Sequence, residues 1–317
     1  MKRVLFTYDY GSEAMQQIRE LGYEILYIKE NELTGREREI VEFDPEALVC
    51  YAPFETLPLN EMKSLKWIQL SSIGVDQVPV TSVLERGIAI TNNRGGYSIP
   101  MGEWIVYEML SFYKFGVYFS QNQRERKWKL NSKIRELTGR KALFIGTGTI
   151  AKEAVKRLSG FDVHCLGINT RGADTEGFEK CYPMEALESL LPDADFVILT
   201  IPHTKATEKL IDESKLNLMK ADAVLINVAR GSLIDEAQLI ESLSQGKFLG
   251  VALDVFENEP LSQDSLLWGL ERVKITPHNS WISEYRNERR FNLIYENLKS
   301  YASGKDLINI VNLKRGY

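Results

Sequence analysis

What the chain has little of narrows its function first. It holds three cysteines, Cys50, Cys165 and Cys181, an odd number with no CxxC pair. That excludes a disulfide framework and reads as buried, reduced thiols in a reducing compartment. No apolar run approaches the roughly 20 residues that would span a bilayer. The opening "VLFTYDY" is interrupted at Asp9 and Tyr10, so no secretory core forms. A cytoplasmic protein is expected, with neither membrane nor nucleic acid as partner. Net charge is −5, and the densest basic cluster, Arg124 to Lys127, is broken by Glu125. No low-complexity stretch or short-period repeat appears, and no metal site is expected. Histidine is scarce, three residues in 317, so each is worth placing.

What is there is alternation. "RVLFTY" (3–8), "YEILYI" (23–28), "ALVCYA" (47–52), "KWIQLSS" (66–72) and "IAITN" (88–92) are short apolar runs, with helical patterns such as "EAMQQIREL" (13–21) between several of them. Near-continuous apolar strands alternating with helices imply a parallel sheet covered on both faces. One long helical pattern follows, from about Ser98 to Trp128. Its aromatics, Trp104, Tyr107, Phe112, Tyr113, Phe115, Tyr118 and Phe119, are too many for one exposed face and are expected to serve packing. A second series then runs through "KALFIG" (141–146), "DVHCLGI" (162–168), "DFVILTI" (195–201), "AVLINV" (223–228), "LGVALDV" (249–255) and "VKITP" (273–277). Six strands with helical crossovers is the count of a dinucleotide-binding fold. A last helix is expected over roughly Glu284–Tyr301. The fold class is α/β, with two doubly wound parallel-sheet domains.

At the head of the second series stands "ALFIGTGTIAKEAVKRL" (142–158), where an apolar run breaks and turns at once into a helical pattern. In Gly146-x-Gly148-x-x-Ala151 the first glycine permits a tight turn and the second lets backbone approach a pyrophosphate. Ala151 still allows close packing of helix on strand. The helix N-terminus then offers N–H groups to the phosphates. The second strand of such a fold should end in an acid for the ribose 2′-hydroxyl about 20 residues on. Here Asn169 stands 23 residues after Gly146, followed by Thr170 and Arg171. An acid would repel a 2′-phosphate, whereas Asn, Thr and Arg can bind one. NADP is therefore expected to be preferred, with NAD accepted.

His164 lies inside a strand pattern and reads as a packed or edge residue. His203 follows Ile201-Pro202 at a carboxyl strand end, where it either lines the cofactor or is merely exposed. His278 follows "KITP", with Pro277 fixing the backbone just before it. Two other strand ends resemble that one. "LINVARG" delivers Val228, Ala229 and Arg230, and "VALDVFENEP" delivers Asp254 and then Glu259. An arginine can hold a carboxylate at two points and polarise the adjacent carbonyl. A histidine can give or take the hydroxyl proton. An acid can accept the other imidazole N–H and orient the ring. On spacing alone, Arg230 reads equally as a surface ion pair and Glu259 as a loop acid beside Pro260.

Together these segments resemble the D-isomer-specific 2-hydroxyacid dehydrogenases. "GTGTIA", "INVARGSLIDEAQL", "GVALDVFENEPL" and "ITPHNS" follow that family's signatures in order and spacing. "SSIGVDQV" (71–78) and "NNRGGYSIPMGE" (92–103) match its substrate segments. The resemblance implies a catalytic set of Arg230, Glu259 and His278. It implies Ile73 and Gly74 N–H groups on the substrate carboxylate, Thr149 and Ile150 at the pyrophosphate, and Asp254 and the Val228 carbonyl near the nicotinamide carboxamide. It also implies a flavodoxin-like substrate domain, 1–98 with 280–317, a Rossmann cofactor domain, 99–279, and a homodimer. Trp281 replaces the small residue usual in the "PH" segment and is expected to narrow the pocket or cover the nicotinamide. Phosphoglycerate dehydrogenases of the family carry an arginine after the third strand, where this chain has Tyr51. No regulatory domain is expected after Tyr317. These departures favour a glyoxylate- or hydroxypyruvate-type reductase of small 2-keto acids. Phosphoglycerate-type activity, with Arg94 or Arg286 as cations, stays open. So does a non-catalytic, corepressor-like nucleotide sensor. A methyltransferase using the glycine corner gives no reason for Arg230, Glu259 and His278 to stand together.

Overall fold

The structure is a computed structural model that describes residues 1–316; Tyr317, with the expectation attached to it, lies outside the described residues. The chain divides into two compact units, Met1–Tyr97 with Ser283–Tyr317, and Ser98–Ile282.

The first unit is built on β1 (Lys2–Phe6), β2 (Tyr23–Tyr27), β3 (Ala47–Cys50), β4 (Trp67–Leu70) and β5 (Ala89–Thr91), in the order β2-β1-β3-β4-β5. Every pairing is parallel. β3 and β4 are buried at each position, which is why they read as unbroken apolar runs. One face packs Val4, Phe6 and Trp67 against Phe291, Ile294 and Leu298 of the helix Arg286–Ala302. The other gathers Leu5, Leu48, Ile68, Leu70 and Val83. A polar relay crosses this core. Trp67 Nε1 donates to Thr91 Oγ1 at 2.8 Å, Thr91 donates to Gln69 Oε1 at 2.8 Å, and Asn297 Nδ2 donates to the same oxygen at 2.7 Å. The winding reverses between β1 and β3, so ligand space is expected outside the carboxyl ends near those strands.

The second unit carries β6 (Lys141–Ile145), β7 (His164–Ile168), β8 (Lys180–Tyr182), β9 (Phe196–Leu199), β10 (Val224–Asn227), β11 (Gly250–Leu253) and β12 (Val273–Ile275). Their order is β12-β11-β10-β9-β6-β7-β8, again all parallel. This is the dinucleotide-binding order with one strand added beyond the sixth. The sequence pattern gives six strands; the seventh is β8, three residues at the sheet edge.

The long helical pattern is corrected as well. It forms two helices, Ser98–Tyr113 and Gly116–Arg124, separated at Phe115, which takes the left-handed conformation with φ 55°. Tyr113 is fully buried against Phe196, ring centres 4.5 Å apart, whereas Tyr107 is 54% exposed. The aromatic excess is thus only partly absorbed by this chain. Gly102 lets the first helix lie on the helix Thr149–Leu158. A Cβ there would stand 2.8 Å from Glu153 Cβ and 2.9 Å from the Ala154 backbone. All three cysteines are free and buried, and burial pushes the Cys165 thiol up to about 12. Among the described residues no helix is long and apolar enough to cross a membrane.

Candidate active site

The second unit's glycine corner is locked on one side and clear on the other. Gly146 has φ 104°, and a Cβ there would meet Ile201 Cγ2 at 2.7 Å and the Thr200 carbonyl at 2.8 Å. The Thr200 hydroxyl donates to the Gly146 carbonyl at 2.8 Å, tying the end of β6 to the end of β9. Gly148 is the reverse case: an added Cβ would meet nothing within 4 Å. The helix Thr149–Leu158 begins after it with no side-chain cap. The N–H groups of its first turn, Thr149 and Ile150 among them, therefore keep their donor capacity for an anion. Buried Ala151 seats the helix. These features fit a dinucleotide pyrophosphate.

At the end of β7, Asn169 has a local role the sequence did not suggest. Its Oδ1 accepts from the Arg171 and Ala173 N–H groups at 3.2 and 3.1 Å. Its Nδ2 donates to the Ala173 carbonyl at 2.8 Å and to Thr147 Oγ1 at 3.3 Å. It knits the turn and leaves Thr170 and Arg171 exposed. Past β9, Ile201 is buried, Pro202 exposed and His203 half-buried. His164 is the first residue of β7, at the amino end, away from the ligand edge. It is exposed, with Nδ1 2.7 Å from Glu179 Oε2.

β10, β11 and β12 are adjacent, so their carboxyl ends present Arg230, Asp254 and His278 side by side. Glu259 Oε2 lies 2.9 Å from His278 Nδ1, and its Oε1 accepts the Phe256 N–H at 3.0 Å. The Glu259–Pro260 peptide is cis. Gly231 brings the Arg230 loop against the same segment. A Cβ there would stand 1.8 Å from the Phe256 carbonyl carbon, so no side chain fits. Buried Asn227 clamps that loop, accepting from the Ala229 N–H at 3.0 Å and donating to the Arg230 carbonyl at 2.8 Å. Arg230 Nη1 donates to the Ala229 carbonyl at 2.7 Å, and Val228 is buried beneath.

His278 itself has φ 51°, a conformation an L-residue keeps only when its surroundings impose it. Asp254, 2% exposed, supplies that constraint. Its carboxylate accepts from the Thr276 hydroxyl at 2.6 Å, the Asn279 N–H at 2.7 Å and the Ser280 N–H at 2.9 Å. Its carbonyl accepts the His278 N–H at 2.7 Å. The Trp281 indole N–H donates to the His278 carbonyl at 2.8 Å, so Trp281 braces this loop too. Sequence reasoning passed over Asn227, Thr276 and Gly231. The available signal was a polar side chain inside or just past a buried strand, and a glycine directly after the candidate arginine.

In the first unit, the loop after β4 is fixed through its carbonyls. Ser71, Ser72, Ile73 and Gly74 accept from the Tyr97 hydroxyl, the Asn93 N–H, Asn92 Nδ2 and the Ser72 hydroxyl. The Ile73 and Gly74 N–H groups donate to no other described residue. Tyr51 is exposed, and Arg94 Nε donates to Asn309 Oδ1 at 3.3 Å.

A sheet wound in this order, with an acid-held imidazole at its ligand edge, is that of a dinucleotide-dependent oxidoreductase. Residues 106–280, more than half of the chain, match the family described as D-isomer specific 2-hydroxyacid dehydrogenase, NAD binding domain, and the chain belongs to that family. It is 29% identical, over 98% of its length, to a glyoxylate reductase of Korarchaeum cryptofilum, and covers 96% of that protein. It is 28% identical, again over 98% of its length, to a D-3-phosphoglycerate dehydrogenase of Archaeoglobus fulgidus, of which it spans only 59%. A D-isomer specific 2-hydroxyacid dehydrogenase family protein from Aeromonas salmonicida superposes with a TM-score of 0.86 at 28% identity, covering 98% of this chain and 99% of that one.

Proposed function

We propose that the protein reduces small 2-keto acids to D-2-hydroxy acids, with NADPH preferred over NADH, as a homodimer. The second unit is the cofactor domain and the first the substrate domain. Thr149 and Ile150 N–H groups take the pyrophosphate, and Thr170 and Arg171, beside Asn169, take the 2′-phosphate. Ile201, Pro202, Val228 and Ala229 line the nucleotide, and Asp254 keeps acceptor capacity on Oδ2 for the carboxamide. The nicotinamide, when bound, supplies the hydride; the remaining work belongs to the chain. Ile73 and Gly74 N–H groups hold the substrate carboxylate. Arg230 grips carboxylate and carbonyl together, a two-point contact a lysine does not make. His278 Nε2 gives the proton to the carbonyl oxygen, while Glu259 holds Nδ1 and so fixes tautomer and ring plane. Trp281 narrows the space beside the reacting carbon.

The observation that carries this reading is the 2.9 Å Glu259–His278 contact on a loop that Asp254 holds in a left-handed turn. A panel of 2-keto acids, with loss of reduced-nicotinamide absorbance as readout, tests it; no turnover of any member rejects the activity. Comparing kcat/KM for the two cofactors tests the preference, and a tenfold bias toward NADH rejects it.

A further inference from the structure

The carboxyl edge of the first unit holds a cation that the reaction above does not use. Arg290 lies in the second turn of the helix Arg286–Ala302 and is 7% exposed. Among the described residues no carboxylate pairs with it. Its Nη2 reaches Asn287 Oδ1 at 3.4 Å, and its buried Nε has no hydrogen-bond partner. Phenol rings surround it instead, with Cζ 5.1 Å from the Tyr8 ring centre, 5.6 Å from Tyr97 and 5.9 Å from Tyr10. Such rings ease the burial of a cation but leave its Nε–H donor unmet. A buried charge is costly unless paired, and the positive end of a helix disfavours a cation further. Arg286 and Arg289 add two more guanidiniums to the same two turns, against one acid, Glu288.

The place is a ligand place. Tyr8 and Tyr10 follow β1, beside the reversal of the sheet, and Tyr97 follows β5. Tyr97 joins this cation to the loop after β4: its ring faces Arg290, and its hydroxyl donates to the Ser71 carbonyl, two residues before Ile73. The Tyr10 hydroxyl is buried with Arg290 as its polar neighbour and makes no well-formed hydrogen bond; burial raises its pKa, against the opposing pull of Arg290, so that it keeps its proton as a donor. Tyr8, 40% exposed, lies over the guanidinium on the solvent side, its hydroxyl 3.3 Å from Asn287 Nδ2.

We propose that Arg290 is a specificity-determining residue that receives a second anionic group, carboxylate or phosphate, at the distal end of the 2-keto acid, with the Tyr10 hydroxyl as co-donor. The proposal rests on the reading above in one respect, that the first carboxylate sits on the Ile73–Gly74 loop. The test compares substrates of matched length. Oxaloacetate and 2-oxoglutarate are set against 2-oxobutyrate and 2-oxopentanoate, 3-phosphohydroxypyruvate against hydroxypyruvate, with glyoxylate as the reference lacking a distal group. The native protein should favour the anionic member of the carboxylate or the phosphate series at least tenfold in kcat/KM, and the series that responds identifies the group. Arg290→Met should abolish that preference while leaving glyoxylate within threefold. Arg290→Lys should keep part of it, and carries the test if the Met variant does not fold. A native preference for neutral members overturns the proposal, as does an equal loss on glyoxylate or no change in the variants. Calorimetric binding of D-malate against D-2-hydroxybutyrate, and of 3-phospho-D-glycerate against D-glycerate, needs no turnover. An anion preference lost in Arg290→Met supports the proposal even if no keto acid is reduced, in which case it is the reductase reading that fails. Equal binding of each pair by the native protein overturns it.

Discussion

At the carboxyl edge of β10, β11 and β12, the Arg230 and Glu259 loops are fastened by hydrogen bonds donated by Asn227 and Phe256, and the His278 loop by hydrogen bonds that Asp254 accepts. At the carboxyl edge of β1 to β5, three buried polar atoms, Arg290 Nε, the Tyr10 hydroxyl and Asn93 Oδ1, have no hydrogen-bond partner; at the other edge the Ser280 hydroxyl, beside the His278 loop, is buried in the same state. Both edges belong to parallel sheets wound on the same principle, with central strands equally buried. The difference lies in what each edge is finished for. One is largely fixed in advance, which suits the proton transfer proposed for it, since that geometry must be reproduced at every turnover. The other leaves two donors and an acceptor unsatisfied, a costly state unless a ligand completes it. Under the proposed function, the reacting groups sit on the more heavily braced edge and selection among substrates on the edge with more polar atoms left open.

The largest effect that would break this comparison is at His278. Acid catalysis by a placed side chain is worth about 10²–10⁴ in rate. His278→Ala should lower kcat by that factor, with substrate affinity, read by calorimetry, changed far less. Near-native turnover would remove the imidazole from the reaction. Asp254→Asn comes next. The amide keeps one acceptor oxygen and turns an N–H toward donors that now meet a carboxylate. Hydrogen bonds to a charged group are each worth about 1.5–3 kcal/mol. The variant should lose about 2–3 kcal/mol in urea melts and about tenfold in kcat, because the loop bearing His278 loosens. A raised KM for the nucleotide, with kcat and stability kept, would assign Asp254 to the cofactor and not to the loop.

How far the sequence carries this picture follows from the same contrast. Strands buried along their length, such as β3, β4, β9, β10 and β11, announce themselves as apolar runs, and β1, β2, β5, β6, β7 and β12 are apolar enough in sequence to be legible beside them. β8 is only "KCY" at a sheet edge, too short and too polar at its first residue to register. The division of the long helix was hidden because the left-handed residue is Phe115, not the neighbouring Gly116. Arg230, Glu259 and His278 follow strands β10, β11 and β12, which on spacing alone made them only suggestive; the family's motifs marked them as a set. The residues that hold them are less conspicuous: Asn227 lies inside its strand, and Thr276 looks like any strand-end threonine. Arg290 was invisible for the opposite reason. "RNERR" reads as a solvated helix face, and the tyrosines of two distant loops, Tyr8 and Tyr10 on one and Tyr97 on the other, pack over Arg290.

Away from the ligand residues the first unit should behave as plain scaffold. Thr91 sits in the relay between Trp67 and Gln69. Thr91→Val would leave the buried indole N–H without an acceptor, a cost of about 1–3 kcal/mol. Urea unfolding should show that loss, with kcat and the order of preference among keto acids unchanged. A shift in substrate order would mean that the specificity edge extends into the core, contrary to the contrast drawn above.

The smallest expected effect is a pH-dependent one at Asp212, the N-cap of the helix Glu213–Leu218 in the second unit. Partial burial pushes its carboxyl up, but the Ser214 hydroxyl and the N–H and ammonium of Lys215 outweigh that and hold it at about 2. An unfolded aspartate titrates near ~3.9. The folded value is the lower one, so the stabilisation is present above about pH 4 and is lost as pH falls toward 2. The side chain is 46% exposed, and solvent screening limits the contribution to about 1 kcal/mol or less. Asp212→Asn keeps a capping oxygen and removes the charge. It should therefore be slightly less stable than the native protein near neutrality and converge with it in acid, with turnover and substrate preference unchanged. An equal loss at both pH values would show that cap geometry, not charge, carries the effect.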